Sequence, residues 1–136
     1  MSPGPPAVGQ ELPALTIPVD RTMVVATAIA SRDYQDVHHD PELARRSGAP
    51  DVFLNILTTN GLVERFVTSW AGAHAVVRAI RIRLGAPVHP GDELVLTGEV
   101  SAVDGRRVEV AVRGEHDRGV HVSGAVVLAL PEGWGR

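Results

Sequence analysis

The C-terminal half of the chain alternates apolar and polar residues with a period of two. Residues 80–84 have the sequence Ile-Arg-Ile-Arg-Leu, which places apolar side chains on one face of a β-strand and arginines on the other. Further apolar runs, separated by turn residues, predict strands over 94–103, 107–113 and 120–130. A sheet built in this way has one apolar face that must be covered, so the strands require a partner element.

A single segment has the length and the pattern to cover that sheet. Apolar residues recur at helical spacing from Val52 to Trp70, which predicts one long amphipathic helix. Gly61 inside it costs about 1 kcal/mol relative to alanine, and we expect the close approach of a strand or a ligand to compensate. Arg21–Ala30 is apolar and rich in β-branched residues, which predicts a further strand. Together these patterns predict an α+β fold, an antiparallel sheet of about five strands around one long helix.

The loop over residues 31–48 concentrates acidic and imidazole side chains that no apolar core requires. Asp33 and His38 are five positions apart, whereas neighbours on a helix face are three or four apart, so we expect them on one side of a loop, holding one water. By spacing alone, such a pair is more often a set of loop-capping and surface groups. Asp40 followed by proline has the pattern of a helix N-terminus and predicts a short helix over Pro41–Arg46.

Length and composition restrict the class of protein. The 136 residues predict one domain, which we place at 16–131 between a flexible N-terminal arm, 1–15, and a C-terminal tail, 132–136. A net charge of -3 gives no long-range attraction for nucleic acid, and the absence of cysteine excludes disulfides and zinc-thiolate sites. No apolar run approaches the about 20 residues of a membrane span, and the chain starts without the features of a secretory signal. We therefore expect a cytoplasmic protein that binds neither nucleic acid nor membrane.

Four features follow one another along the chain. They are an Asp-x-x-x-x-His loop, Ala44 six residues beyond the histidine, a long central helix and the turn Val88–Asp92. This order resembles the MaoC-like, or (R)-specific enoyl-CoA hydratase, family over nearly the full chain. The resemblance implies a single hotdog fold, in which the sheet wraps around the central helix, and it implies that Asp33 and His38 are catalytic. The loop, with Asp-Val-Phe-Leu-Asn-Ile-Leu-Thr over 51–58, is most similar to the small subunit of the heteromeric hydratases that act on steroid side-chain enoyl-CoA thioesters in actinobacteria.

Three positions depart from the pattern of that family. The glycine before the catalytic aspartate is Arg32, the Asn-Pro pair inside the motif is Gln35-Asp36, and the glycine near the start of the central helix is Asn55. In the family the backbone N–H of that last glycine supports the thioester oxygen, and a helix N-terminus presents N–H groups whatever the side chain. We therefore take Asn55 and Gln35 as tentative oxyanion or substrate-binding residues.

Two arginines of the first predicted C-terminal strand are further candidates. Arg81 and Arg83 either meet a coenzyme A phosphate or, as is more common, form a solvated strand face, and we include them among the tentative substrate-binding residues. The run His38-His39-Asp40 is a poor metal site because adjacent side chains point apart and no HExxH motif accompanies it, so we expect no metal. We take the remaining histidines as surface residues: His74, His89, His116 and His121.

The resemblance implies the addition of water to a 2-enoyl-CoA, and its most similar members imply a steroid substrate with a cholesterol-type side chain. Hydration needs a base for the water, an acid for the α-carbon and a dipole at the thioester oxygen; Asp33 and His38 can share the first two roles, in either order. We expect no cofactor, since coenzyme A is part of the substrate. The alternatives are a hotdog acyl-CoA thioesterase, for which Glu64 is the candidate acid on the central helix, and a non-catalytic hotdog that binds acyl thioesters or scaffolds a partner.

We expect assembly with other chains. We predict that the strand over 120–130, rich in valine and nearly free of charge, is an edge strand, which would invite pairing if it were left exposed. The resemblance implies a second MaoC-like subunit in a heterodimer or heterotetramer and an acyl-CoA substrate bound between the subunits. It also suggests a downstream thiolase-like aldolase as a further partner.

Overall fold

A computed structural model describes residues 4–136 of the chain as an α+β fold, and residues 1–3 of the predicted arm lie outside it. The elements are β1 (Leu15–Pro18), α1 (Arg21–Ala30), a short 3-10 helix (Asp36–His38), α2 (Pro41–Arg46), α3 (Ile56–Ala71), β2 (Val76–Leu84), β3 (Glu93–Asp104), β4 (Arg107–His116) and β5 (Gly119–Ala129). No helix within residues 4–136 is long and apolar enough to cross a membrane.

The strands form one antiparallel sheet of five, in the order β1-β3-β4-β5-β2. The predicted strands over 80–84, 94–103, 107–113 and 120–130 are confirmed, with ends that differ by a few residues. β3 and β4 join through a turn at Asp104 and Gly105, since Asp104 pairs with Arg107. The predicted fold class, a hotdog with one long helix against an antiparallel sheet, is confirmed.

The core lies between α3 and the concave face of the sheet. Leu62, Val63, Phe66 and Val67 form the buried stripe of the helix, at the spacing of one helical face. Each such side chain contributes about 1.5–3 kcal/mol by burial. Gly98 of β3 makes room for the ring of Phe66, because an added Cβ there would lie 2.8 Å from its Cε1 atom.

The segment Arg21–Ala30, predicted as a strand, is helix α1. The side chain of Asp20 caps it by accepting a hydrogen bond from the backbone N–H of Met23 at 2.7 Å. Val24 and Ala28, four positions apart, are the fully buried residues of its inner face. The short β-branched run favours a strand by local propensity, whereas the cap and the burial of one face stabilise a helix. The remaining strand of the sheet is β1, whose Ile17 pairs with Leu94 of β3.

The central helix begins at Ile56 and not at Val52. The side chain of Asn55 accepts a hydrogen bond from the backbone N–H of Thr58 at 3.1 Å, which ends the preceding extended segment and starts the helix. The prediction of a close approach by a strand at Gly61 is wrong. Within residues 4–136, no other element has an atom within 4 Å of a Cβ placed there. Gly61 lies on the exposed face of α3.

The edges of the sheet differ from the prediction. β5 lies between β4 and β2, so the segment 120–130 is not an edge strand; within the described residues the edge strands of the sheet are β1 and β2. At the opposite side the backbone N–H groups of Gly9 and Leu12 donate to Val100 and Gly98, each at 2.9 Å. Part of the predicted flexible arm is therefore hydrogen-bonded along β3, while the proposed domain boundaries stay a prediction.

Candidate active site

The turn after α1 aims the candidate catalytic loop. Arg32 has φ 54°, in the left-handed region that disfavours residues other than glycine, at the position where the resembling family has glycine. The backbone N–H of Arg32 donates to Ile29 at 3.0 Å and that of Asp33 donates to Ala28 at 2.9 Å. These are the two bonds of a Schellman motif, formed here without glycine. The end of the helix therefore fixes the backbone of Asp33.

Asp33 and His38 meet at the end of this loop. Oδ2 of Asp33 lies 3.4 Å from Nε2 of His38, and the side chains are 21% and 8% exposed respectively. Nδ1 of His38 lies 2.7 Å from the backbone oxygen of Phe53. Because a carbonyl oxygen only accepts, Nδ1 carries the proton and Nε2 of the neutral ring is an acceptor. Two acceptors therefore face the same space, where one water can donate a hydrogen to each.

Asn55 joins this pair to the central helix. Its Nδ2 group donates to Oδ2 of Asp33 at 3.1 Å and to Oγ of Ser31 at 2.8 Å. Its Oδ1 atom accepts from the backbone N–H of Thr58 at 3.1 Å and from the Thr58 hydroxyl. The residue is 2% exposed. Both ends of the Asn55 amide are thus hydrogen-bonded within the protein. The side chain therefore orients Asp33 and has no free N–H group to donate to a substrate oxygen.

The start of α3 presents free backbone donors beside Asp33. The first turn of a helix has N–H groups without intrahelical partners, and Asn55 satisfies only that of Thr58 by its side chain. In residues 4–136 the N–H groups of Ile56 and Leu57 make no hydrogen bond. They lie at the positive end of a 16-residue helix, which favours a developing negative charge. The side chains of Ile56 and Leu57 are 53% and 55% exposed.

The other tentative residues are placed differently. Gln35 contributes through its backbone, whose N–H donates to Oδ1 of Asp33 at 3.3 Å, while its side chain is exposed. Arg81 and Arg83 are exposed on β2, opposite Ala125 and Ser123 of β5. Neither arginine makes an ion pair within the described part of the chain. The structure therefore brings Asn55 to the Asp33–His38 pair, and it brings neither the arginines nor the Gln35 side chain there.

The histidines predicted to lie on the surface divide into two groups. His74 is exposed, as predicted. His121 is 2% exposed: its Nδ1 donates to the backbone oxygen of Ala86 at 2.8 Å, and its Nε2 accepts from Oγ1 of Thr59 at 2.8 Å. Burial lowers the pKa of His121 below its ordinary value of 6.5. The β4–β5 register shift opposite His121 turns it inward, and the alternating pattern gave no sign of this bulge. His89 and His116 are half-buried, so the surface prediction is wrong for all but His74.

The predicted turn at Val88–Asp92 is held by an ion pair. The guanidinium of Arg118 forms a bidentate contact with the carboxylate of Asp92, which also accepts from the backbone N–H of His89 at 2.7 Å. The hydrogen bond from Arg118 outweighs the opposing effect of burial and holds the pKa of Asp92 at about 2. Within residues 4–136 no group of three or more His, Cys, Asp or Glu side chains is arranged to hold a metal ion.

Comparison with known proteins decides the family. The model of the MaoC-like domain matches residues 5–120, which is most of the chain. This chain belongs to the MaoC-like family. The MaoC-like chain is 46% identical, over 90% of its length and 95% of the relative, to the 3-oxo-4,17-pregnadiene-20-carboxyl-CoA hydratase beta subunit of Mycobacterium tuberculosis.

Solved structures show the same relationship. The MaoC-like chain matches the crystal structure of the ChsH1-ChsH2 complex from Mycobacterium tuberculosis with a TM-score of 0.91 and 45% identity, covering 92% of this chain and 98% of that one. It matches the (R)-hydratase of A. caviae involved in PHA biosynthesis with a TM-score of 0.84 and 23% identity, covering 92% of this chain and 97% of that one, which is a likeness of fold. The family resemblance seen in the sequence is confirmed.

Proposed function

We propose that this MaoC-like chain is the catalytic subunit of an enoyl-CoA hydratase that adds water across the double bond of a 2-enoyl-CoA thioester. The carrying observation is the pairing of Asp33 Oδ2 with His38 Nε2 at 3.4 Å, two acceptors that share one space for water. We infer a steroid side-chain substrate from the 46% identity to a protein named as a hydratase of 3-oxo-4,17-pregnadiene-20-carboxyl-CoA.

The proposed reaction balances with water and the thioester alone. The Asp33–His38 pair takes a proton from a water molecule while the water oxygen bonds to the β-carbon, and the electrons of the double bond move toward the thioester oxygen. The pair then returns a proton to the α-carbon, so water is added without net change in the enzyme. N–H groups of Ile56 and Leu57 are placed to stabilise the enolate-like oxygen. We therefore propose no metal and no other cofactor.

We also propose that a second MaoC-like subunit completes the site. Within residues 4–136 one edge of β2 is unpaired, which leaves backbone donors and acceptors for another sheet. Tyr34 follows Asp33 in the chain and Leu57 lies in the first turn of α3; they are 62% and 55% exposed, and exposed apolar side chains of this kind offer a surface to a partner. The similar crystal structure is that of a ChsH1-ChsH2 complex, which supports a heteromeric assembly. A downstream thiolase-like aldolase as a further partner rests on the family resemblance alone.

The decisive experiment removes each member of the pair. Asp33→Asn and His38→Ala should each lower kcat for hydration by about a thousandfold or more, and the double variant should lose little beyond that, because the two groups act as one unit. Loss of enoyl-thioester absorbance measures the rate, with steroid and straight-chain substrates compared in parallel. Unchanged circular dichroism and Tm show that the fold persists. Near wild-type turnover in either variant would refute the proposed pair.

Glu64→Gln is the matched control and also tests the thioesterase alternative. Glu64 is exposed on α3, and no hydrogen bond or ion pair engages its carboxylate among the described residues. We expect its replacement to leave hydration within about twofold of wild type, as for most exposed positions. Release of free coenzyme A, abolished by Glu64→Gln and kept by Asp33→Asn, would instead establish a thioesterase. Binding of acyl-CoA with neither activity would favour the scaffolding alternative.

A further inference from the structure

The extended segment Val52–Leu54, which precedes α3, is held from both sides by hydrogen bonds and not by a neighbouring strand. On one side, the backbone N–H of Phe53 donates to Val37 at 3.3 Å. On the other side, the backbone N–H of Leu54 donates to Val88 at 3.1 Å. The segment thus bridges the catalytic loop and the turn between β2 and β3.

Two imidazoles hold consecutive carbonyl groups of this segment. Nδ1 of His38 lies 2.7 Å from the oxygen of Phe53, and Nδ1 of His89 lies 2.9 Å from the oxygen of Val52. Successive carbonyls of an extended chain point to opposite sides, so the two rings pin the segment from both directions. Since a carbonyl oxygen only accepts, His89, like His38, carries its proton on Nδ1.

The side chain of Phe53 fills the space between the rings. Its ring makes an edge contact with His38 at a centroid distance of 5.0 Å and with His89 at 6.1 Å. His89 is itself fixed, because its backbone N–H donates to the carboxylate of Asp92, which Arg118 holds. The turn at Val88–Asp92 is thereby connected to the His38 ring, which faces Asp33, through the imidazole of His89 and the carbonyl groups of Val52 and Phe53.

We propose that His89 is a positioning residue for the Asp33–His38 pair, acting through the carbonyls of Val52 and Phe53. The proposal rests on the hydratase function proposed above. The bond from His89 keeps Val52 in place, which keeps the oxygen of Phe53 against Nδ1 of His38. That contact holds the His38 proton on Nδ1 and leaves Nε2 free to accept from water. Without His89 the segment is pinned on one side only, and the other His38 tautomer, with Nε2 protonated, becomes populated.

Two substitutions separate the hydrogen bond from the ring contact. His89→Asn retains a donor close to the position of Nδ1 but has no ring, whereas His89→Leu fills similar space without a donor. We expect His89→Leu to lower kcat about tenfold with little change in KM, and His89→Asn to restore most of the rate, because a single hydrogen bond is at stake. His116→Leu is the matched control, since His116 contacts the same turn at Ala86 and the backbone N–H of Arg118 but makes no hydrogen bond with the segment Val52–Leu54.

A spectroscopic measurement tests the positioning without depending on activity. Long-range proton–nitrogen correlation spectra of the full chain, recorded at about pH 8 where histidine is neutral, report which His38 nitrogen carries the proton. We expect the Nδ1–H form in the wild type, in His89→Asn and in His116→Leu, and a mixture of both forms in His89→Leu. An unchanged tautomer in a folded His89→Leu variant would overturn the proposal, as would equal effects of the leucine and asparagine substitutions.

The two readouts also distinguish a failed proposal from a failed function. If the tautomer shifts as expected while no variant, including Asp33→Asn, affects turnover, the positioning is correct and the proposed hydratase pair is wrong. If Asp33→Asn abolishes turnover while His89→Leu leaves both turnover and tautomer unchanged, the pair is correct and His89 does not position it.

Discussion

Replacing Asn55 should damage stability and catalysis by separable amounts. Its oxygen caps α3 by accepting from the backbone N–H of Thr58, and its amide donates to the carboxylate of Asp33. Removing an N-cap side chain typically costs about 1 kcal/mol of unfolding free energy. Losing a buried hydrogen bond to a charged carboxylate costs about 1.5–3 kcal/mol more. Asn55→Ala should therefore destabilise the protein by about 2.5–4 kcal/mol, while Asn55→Ser, which retains a capping oxygen, should cost about 1.5–3 kcal/mol.

Urea unfolding followed by circular dichroism measures these differences, and an unchanged m-value shows that the unfolded states are comparable. Turnover is then measured at a temperature at which both variants are folded. Both should be slower than the wild type by about tenfold, because both lose the donor that orients Asp33. The serine variant therefore recovers stability without recovering rate.

Two outcomes would refute this account of Asn55. Equal destabilisation by serine and alanine would show that its oxygen contributes nothing as a helix cap. Full turnover in a folded Asn55→Ser variant would show that the amide does not orient Asp33, and the tentative role of Asn55 toward substrate would then have to be reconsidered.

The remaining predictions concern pH. Burial lowers the pKa of His121 below 6.5, so the unfolded chain binds a proton more readily and stability should fall as the pH drops below about 6.5. His121→Gln, with a neutral side chain facing Thr59, should flatten the plot of unfolding free energy against pH in this range. An unchanged slope would contradict the assignment of this pH dependence to His121. Asp92, with a pKa of about 2 against an ordinary 3.8, should add a separate loss of stability as the pH falls from 3.8 toward 2. Arg118→Met should cost about 1 kcal/mol of unfolding free energy at neutral pH, because the Arg118 side chain is half exposed and solvent screens the ion pair, and it should diminish the acid loss of stability. Equal acid sensitivity of both proteins in urea unfolding would refute this prediction.

The sequence alone determined the elements that depend on neighbours along the chain. The strands of the C-terminal half follow from a period of two and from turn residues at their ends, and these features act over a few positions. The helix Pro41–Arg46 follows from Asp40, whose side chain accepts from the backbone N–H groups of Glu42 and Leu43. The loop that joins Asp33 to His38 was likewise visible as a local concentration of charge that no core requires.

The tertiary structure decided what depends on residues far apart in sequence. Arg21–Ala30 is helical because its apolar face packs into the core, and a short apolar segment has no local signal strong enough to exclude a strand. Asn55 reaches Asp33 across 22 positions, and His89 reaches Val52 across 37, through contacts that no pattern along the chain encodes. The strand order likewise places β2, and not β5, at an edge of the sheet. Periodicity reports which face of an element is buried, whereas the identity of the residue that meets that face is set only when the elements pack.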